Sequence, residues 1–219
     1  MDTSDFRPVW LGQCITKYQV PLDVYQMING IYEKNFNTLP RANKQLAGKI
    51  QDEHSLFYQG EDLSKMQHHN KLPWYVLQWL ASKFRHYLSY TKTELRDMKL
   101  NSVWINQMKA HEYNPAHIHQ GSLSTGLSSV MILKLPEDMG PEYSNAHTPM
   151  NGRLQILGNL TGQFAKSDYS PPLKERDFYI FPYDMRHCVY PMTHPQAIRR
   201  TLSCNVDVNH NPIISRAAA

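Results

Sequence analysis

Three histidines are the residues of this chain whose type and spacing could do chemistry. His117 and His119 are separated by one residue, and His187 follows an aromatic segment that ends in Phe181-Pro182. Residues i and i+2 of a β-strand point to the same side, so the first two histidines would share one face. Imidazole nitrogens bind iron, zinc, copper and nickel, and three of them leave coordination positions open. The pattern predicts a metal site made of His117, His119 and His187.

A segment shortly after His187 carries a second set of polar groups. With a period of two, one face of residues 198–208 holds a guanidinium, two hydroxyls and an amide: Arg199, Thr201, Ser203 and Asn205. The other face holds Arg200, Leu202, Cys204 and Val206. A buried arginine needs an anionic partner, and its planar fork suits a carboxylate. We therefore expect the Arg199 face to line a ligand pocket and Arg200→Ala to have little effect; the alternative is a strand whose polar face meets solvent.

The first hundred residues predict helices that support this site. Pro21 precedes apolar residues at helical spacing: Val24, Met27, Ile28 and Ile31. A similar pattern runs through residues 43–58 with Leu46, Ile50 and Phe57. Pro73 precedes a broad apolar face that includes Leu77, Leu80, Phe84 and Leu88. We expect three helices here, packed against a sheet.

From residue 101 onward, short apolar runs alternate with Gly, Pro and Asn turns, which is typical of antiparallel β structure. Strands are predicted at residues 103–108, 117–118, 127–135, 153–157, 178–181 and 198–208, and loops at 145–152 and 168–172. The fold class is α+β. We predict a double-stranded β-helix (a jelly roll) over residues 101–216 with a mostly helical region, 1–100, packed against it. Residues 217–219, three alanines, resemble a cloning remnant.

Composition narrows the classes of function. A chain of 219 residues fits one domain, and its net charge of +4 comes without long runs of like charge, so we expect no nucleic-acid surface. We expect no membrane span and no signal peptide, because apolar runs are short and the first residues are acidic and polar. Three cysteines at unrelated spacings indicate reduced thiols and a cytoplasmic protein. A homo-oligomer formed through the helical region remains open.

At these motifs the sequence resembles the iron(II)- and 2-oxoglutarate-dependent oxygenases. The shared pattern is His117-Ile-His119, a Leu-Ser pair before an apolar strand, Phe181-Pro182, His187, and the alternating strand from Arg199 to Asn205. Upstream, Trp104-Ile-Asn-Gln-Met also looks like the family's first core strand. The resemblance covers roughly residues 101–208.

The resemblance implies a dioxygenase with Fe(II) and 2-oxoglutarate as cofactor and co-substrate. His117 and His187 would bind iron, Arg199 would hold the distal carboxylate of 2-oxoglutarate, and Thr201, Ser203 and Asn205 would line its pocket. The reaction would hydroxylate a protein side chain or a small molecule. Asn106 and Gln107 flank this pocket, and the spacing does not choose which one points inward.

Position 119 departs from the family's common triad, in which a carboxylate follows the first histidine after one residue. Either His119 is the third ligand, or iron is held by two histidines and water; Glu112 and Asp177 are carboxylates nearby in sequence that could substitute. The turn before Phe178 also lacks the family's frequent glycine and reads Glu175-Arg-Asp177. We expect Asp177 to support that turn through its side chain.

Two other interpretations remain. Cupin-type metal enzymes and isomerases also use His-x-His and a distant histidine, but their motif adds a glutamate about four residues later, where this chain has Ser122 to Ser124. The third interpretation is a jelly-roll binding or structural protein with a degenerate site. The missing carboxylate at position 119 is the feature that favours it.

Overall fold

The computed structural model describes residues 12–43, 48–59, 68–142, 149–158, 162–163 and 166–211. Within these ranges the helices are α1 (Leu22–Asn35) and α2 (Trp74–Tyr90). The strands are β1 (Thr16–Gln19), β2 (Asp52–Tyr58), β3 (His69–Asn70), β4 (Leu95–Met108), β5 (Asn114–His117), β6 (Gly126–Lys134), β7 (Leu154–Leu157), β8 (Asp168–Tyr169), β9 (Asp177–Pro182), β10 (Arg186–Val189) and β11 (Arg199–His210).

The strands form two antiparallel sheets. The larger sheet has the order β1-β9-β6-β11-β4-β2-β3, and the smaller sheet has the order β5-β10-β7-β8. From β4 onward the chain passes back and forth between the two sheets, with only the hairpin of β7 and β8 staying in one sheet, which is the connectivity of a jelly roll. The predicted α+β class and double-stranded β-helix are confirmed, and β11 lies at the centre of the larger sheet, paired on both edges.

Two hydrophobic cores hold these layers together. The first lies between the helices and the outer face of the larger sheet, where residues such as Ile28 and Phe84 pack with Leu202 of β11. The second lies between the two sheets and includes Met108 and Ile156. Full burial of one such side chain stabilises the fold by roughly 1.5–3 kcal/mol. The site therefore sits in a frame that is packed on both sides of the larger sheet.

Both proline-led helices are confirmed. Pro21 and Pro73 immediately precede α1 and α2, where a missing backbone N–H costs nothing. In α1 the buried stripe is Val24, Ile28 and Tyr32, whereas Met27, which we placed on that stripe, is 38% exposed. The buried face of α1 therefore follows a spacing of four residues, and not the alternating spacing of three and four residues predicted from the sequence.

The predicted helix over residues 43–58 is wrong. Residues 52–58 are the strand β2, which pairs with β4, and Leu46 lies outside the described residues. Six consecutive residues of β2 are buried, so the strand lacks the alternation that distinguishes strands from helices in sequence. The first hundred residues are therefore not mostly helical, since they also supply three strands to the larger sheet.

Other predicted boundaries shift in smaller ways. The division near residue 100 falls inside β4, so the helical region and the barrel are joined by a continuous strand. The predicted strands agree with β5, β6, β7, β9 and β11 to within three residues at each end, whereas β4 begins at Leu95, eight residues before the predicted start. Residues 168–172, predicted as a loop, begin with β8, while residues 217–219 and the first half of the 145–152 loop lie outside the described residues.

The turn before β9 forms without glycine. Arg176 adopts a positive φ of 73°, and the side chain of Asp177 accepts a hydrogen bond from the backbone N–H of Lys174 at 3.0 Å. Arg176 also donates through its Nε to the carbonyl of Val20 at 2.8 Å. These contacts offset the cost of a left-handed arginine.

Within the described ranges, neither helix is long and apolar enough to cross a membrane.

Candidate active site

The three predicted histidines meet at one end of the barrel. His117 on β5 and His187 on β10 are directly paired across the two strands, and His119 follows two residues later in the loop. The ring centroids of His117 and His187 are 4.3 Å apart, and those of His119 and His187 are 4.9 Å apart. One ligand nitrogen from each ring lies within 4.8 Å of the others. This spacing suits three bonds of about 2 Å to one ion.

Backbone carbonyls orient two of these rings. Nδ1 of His117 lies 2.8 Å from the carbonyl oxygen of Pro115, and Nδ1 of His187 lies 3.1 Å from that of Met185. A carbonyl only accepts, so each Nδ1 carries the proton and each Nε2 has a free lone pair. Both histidines are thus held in the tautomer that binds metal through Nε2.

His119 has a different environment. Its Nε2 lies 3.1 Å from Nε2 of His187, and its Nδ1 lies 3.4 Å from Nδ2 of Asn205. In this arrangement Asn205 donates to Nδ1, so His119 carries its proton on Nε2 and donates it to His187. To bind metal through Nε2, His119 must move that proton to Nδ1. The unpartnered Oδ1 of Asn205 would accept it after an amide flip.

All three imidazoles are neutral near pH 7. Burial lowers the pKa of His117, lowers that of His119 well below its usual value, and lowers that of His187 to about 3. The neighbouring imidazoles lower the pKa values of His119 and His187 further. Neutral imidazole is the form that coordinates metal, so binding needs no proton release from these rings at neutral pH.

A buried carboxylate fixes the loop that carries His119. Asp207 of β11 accepts from the backbone N–H groups of Ser122 and Leu123 at 2.9 and 3.1 Å, and from the hydroxyl of Tyr183 at 3.2 Å. A Cβ at Gly121 would lie 2.0 Å from Oδ1 of Asp207. Only glycine therefore fits at this point of the loop.

Arg199 lies inside the barrel with unused hydrogen-bond donors. It is 1% exposed, its Nε and Nη2 have no partner, and its Nη1 reaches only the sulfur of Met108 at 3.9 Å. Burial lowers its pKa to about 10, which leaves it charged at neutral pH. A buried charge without a partner is costly, so this guanidinium is placed for an anionic ligand.

The rest of the predicted polar face also lines the interior. Thr201, Ser203 and Asn205 are all buried, and Asn205 reaches His119. Between them they connect the guanidinium with the histidine cluster along one strand. The structure thus places the predicted polar residues on one face of β11, and Asn205 at one end of this row contacts the histidine cluster.

The opposite face of β11 points into the helical layer, as predicted. Arg200 donates to Asn29 and Glu33 of α1 at 2.8 and 2.9 Å, contacts Gln107 through two nitrogens, and stacks over the ring of Tyr32. Arg200 is only 7% exposed. The expectation that Arg200→Ala has little effect on the requirement for 2-oxoglutarate stays a prediction. For stability we expect a loss, because α1 covers this side chain, which the sequence did not show.

The structure also resolves the choice between Asn106 and Gln107. Asn106 is paired with Thr201, whereas Gln107 is paired with Arg200 and bonds to it. Cross-strand pairs share a face, so Asn106 points into the pocket and Gln107 points outward. Trp104, two residues before Asn106, lies on the inner face with its ring centroid 5.9 Å from that of His119.

Neither alternative carboxylate joins the histidines. Glu112 accepts from the backbone N–H groups of Lys109 and Gln51 at 2.8 and 3.0 Å. Asp177 pairs with Lys17 at 2.9 Å and accepts from Tyr179 at 3.0 Å. Both are therefore occupied with structural contacts elsewhere.

Sequence reasoning missed one buried carboxyl in this region. Glu53 of β2 is paired with Asn106, is 4% exposed, and has an Oε2 without a hydrogen-bond partner. Nothing local in the sequence indicates it, because it lies in the segment that we predicted as a helix.

The donor set fits the group that the resemblance implies. Three neutral imidazoles converge, and the guanidinium of Arg199 lies unpaired in the interior of the same barrel. Imidazole nitrogens suit Fe(II), and Arg199 suits the distal carboxylate of 2-oxoglutarate.

Comparisons with known proteins agree with this chemistry. Residues 102–205 match the family described as "Putative 2OG-Fe(II) oxygenase". Among curated proteins, none matches this sequence significantly.

Solved structures share the fold at low sequence identity. A prolyl-4-hydroxylase from Pseudomonas putida is 12% identical with a TM-score of 0.51, covering 90% of this chain and 92% of that one. A 2OG-Fe(II) oxygenase family oxidoreductase from Burkholderia pseudomallei is 13% identical (TM-score 0.53; 87% and 84% covered). AviO1 from Streptomyces viridochromogenes Tue57 is 12% identical (TM-score 0.56; 94% of each chain covered).

The match spans β4 to β11, which are the strands that carry both the histidine cluster and Arg199. This jelly-roll core is what the chain shares with the iron(II)- and 2-oxoglutarate-dependent oxygenases.

Proposed function

We propose that this protein hydroxylates a C–H bond of a protein side chain or a small molecule, with His117, His119 and His187 as the iron ligands and Arg199 as the anchor of 2-oxoglutarate. The observation that supports this assignment best is the pairing of a neutral histidine cluster with a buried, unpartnered guanidinium in one interior. Neither set has a structural role that would explain its burial.

Bound Fe(II) supplies the oxidising chemistry, in which dioxygen and 2-oxoglutarate yield succinate, carbon dioxide and one oxygen atom for the substrate. The residues of this chain hold and orient the reactants. Arg199 offers free N–H donors to a carboxylate, and Thr201 and Ser203 lie between Arg199 and Asn205 on the same face of β11, where their hydroxyls would line the co-substrate site. Fixing the co-substrate in this way lowers the entropic cost of reaching the reactive arrangement.

An all-histidine ligand set would leave the site one negative charge short of the common triad. His117 and His187 are already in the metal-binding tautomer, whereas His119 must exchange its proton between ring nitrogens. We therefore propose that His117 and His187 form the tighter half of the site. His119 would complete it with the help of Asn205.

A spectroscopic titration tests the function. Under anaerobic conditions, Fe(II) plus 2-oxoglutarate should give a weak charge-transfer band in the visible, and admitting air should produce succinate. His187→Ala should abolish metal binding and the band. A protein that gives neither the band nor succinate, although it binds Fe(II), would contradict the oxygenase assignment for this site and favour the cupin-type alternative.

The compartment is a separate proposal. Cys14, Cys188 and Cys204 are free thiols, which supports a reducing, cytoplasmic location.

A further inference from the structure

Glu53 lies on the pocket side of the larger sheet. Its partner across the strands is Asn106, whose own partner is Thr201 on the inner face of β11. Its chain neighbours point the other way: Asp52 is paired with the outward-facing Gln107, and the ring of His54 packs 4.9 Å from that of Phe36. Alternation along β2 therefore directs the Glu53 carboxyl into the barrel.

This carboxyl has no structural role that would account for its burial. It is 4% exposed, and its Oε2 has no hydrogen-bond partner. The buried Oδ1 of the adjacent Asn106 is also unpartnered. Buried carboxyls elsewhere in the described chain behave differently, since Asp52 is paired with Arg41 and Lys109. Two neighbouring acceptors are thus left open on one wall of the pocket.

Glu53 and Arg199 are ionisable side chains of opposite charge in similar surroundings. Each is buried in the interior without a partner, and burial is the cause of the pKa shift of both, raising that of Glu53 to about 7. The 2-oxoglutarate carboxylate would satisfy Arg199. The acceptors on β2 and β4 need hydrogen-bond donors, and protonated amino and guanidino groups combine several donors with a positive charge that an ionised carboxylate attracts.

We propose that Glu53, together with Asn106, binds a cationic nitrogen of the primary substrate, so that the substrate class of this oxygenase carries an amino or guanidino group. This inference rests on the proposed function only in taking the cation to belong to the substrate. The binding of a cation by Glu53 is tested independently of oxygenase activity. Glu53 is a specificity-determining residue in this scheme and takes no part in oxygen chemistry.

The competing role is a neutral carboxyl that donates to 2-oxoglutarate. It is the weaker reading, because the adjoining open atom of Asn106 is an acceptor and would face the anion. An anionic ligand there would leave that acceptor unpaired.

The test uses the full-length protein labelled with ¹³C at the glutamate carboxyl, whose Glu53 resonance is assigned by its loss in Glu53→Gln. The probes are n-butylammonium and its neutral analogue n-butanol, with neither iron nor 2-oxoglutarate present. We expect n-butylammonium to shift the Glu53 resonance and lower its pKa by about one unit, which corresponds to about tenfold tighter binding to the ionised carboxylate. Butanol should do neither.

Variants give the second readout. Glu53→Gln should weaken n-butylammonium binding about tenfold, while Glu137→Gln, the same change in an exposed turn, should leave it unchanged. A Glu53 resonance that ignores the cation overturns the proposal, whether or not the charge-transfer band appears. So does a Glu53→Gln protein that binds n-butylammonium normally but needs more 2-oxoglutarate, since this result assigns Glu53 to the co-substrate.

Discussion

Asn205 controls which nitrogen of His119 is free. In the structure its amide donates to Nδ1 of His119, and its Oδ1 has no partner. A partner that accepts from a ligand's second nitrogen typically changes metal affinity by about 10–100-fold. Whether His119 binds the metal therefore depends on Asn205 as well as on His119 itself.

We predict that Asn205→Asp strengthens metal binding by about tenfold, because a carboxylate accepts only and holds the proton on Nδ1 of His119. His119→Asp should strengthen it as well, since it restores the common carboxylate. Chelator competition followed by Co(II) absorption measures both. If both variants bind like the wild type, the metal is held by His117 and His187 with water.

Arg199 should affect ligand binding and stability in opposite directions. We expect Arg199→Met to raise the 2-oxoglutarate concentration for half-maximal charge-transfer absorbance by at least about tenfold, because a charge-assisted pair contributes about 1.5–3 kcal/mol. The same variant should unfold at a higher denaturant concentration, since it removes an unpaired buried charge. Lys134→Ala, which removes an exposed cation, serves as the control. Unchanged 2-oxoglutarate affinity would remove Arg199 from the co-substrate site.

Glu53 should make stability depend on pH. Its pKa rises from 4.5 to about 7 on folding, so the folded protein holds this proton more tightly than the unfolded chain. Its stabilising contribution is complete below the unfolded pKa and is lost as the pH rises through the folded pKa. At ~1.4 kcal/mol per pKa unit, the loss approaches about 3 kcal/mol.

Urea unfolding of the wild type and Glu53→Gln at pH 5 and pH 8 measures this effect. The variant should gain in free energy of unfolding relative to the wild type between these two values. Parallel profiles would mean that Glu53 has an ordinary, partnered carboxyl.

At the residue level, the sequence was informative where chemistry follows a short period. The His-x-His spacing and the alternation of β11 placed Arg199 and Asn205 on the correct face. Glu53 could not be found, because its role depends on the pairing of β2 with a strand about fifty residues away. Such pairings are set by the whole fold and leave no local pattern.

At the scale of elements, Arg200 joins α1 to β11. Its guanidinium connects Glu33, Asn29 and Gln107 and stacks on Tyr32, all on the outer face of the sheet. The side chain of Arg200 therefore links helix α1 to the central strand of the larger sheet by hydrogen bonds, in addition to their apolar packing.

We predict that Arg200→Ala lowers the free energy of unfolding by about 1–3 kcal/mol, because it removes the hydrogen bonds to Asn29, Glu33 and Gln107. The requirement for 2-oxoglutarate should stay within twofold of the wild type, roughly the scatter of a neutral change. Denaturant unfolding and the charge-transfer titration measure the two effects. A large rise in the 2-oxoglutarate requirement would show that Arg200 and not Arg199 serves the pocket.

The two helices, which have one buried and one exposed face, were predicted from the sequence, and strand β2, which is buried on both faces, was not. Helices α1 and α2 each have one buried stripe and a proline at the start, and both were predicted. Strand β2 is buried along almost its whole length, and the helical pattern read there rested on Leu46, Ile50 and Phe57, of which only Phe57 lies in the strand. A strand covered on both faces gives no alternation to detect.

At the scale of the whole molecule, the chain is one cooperative unit. The N-terminal hundred residues add β1, β2 and β3 to the larger sheet, and α1 and α2 cover its outer face. Without them the apolar outer face of the barrel, including Leu202 and Cys204, would meet water.

We therefore expect residues 101–216 alone not to fold, although they contain all the predicted metal ligands. Near-ultraviolet circular dichroism and amide dispersion in NMR spectra measure this. A folded fragment with native-like dispersion would restore the view that the first hundred residues are a separate support.

Side chains along β11 alternate between the pocket and the helical core, and this alternation limits insertions and deletions in the strand. Odd positions of this strand serve the pocket and even positions serve the helical core, while both edges are paired. Deletion of Thr201 would move every following side chain to the opposite face, placing Leu202 in the pocket and Ser203 in the core. Substitutions here can be tolerated one at a time, but a change of length cannot, so codon insertions and deletions in β11 should be absent from any functional variant library.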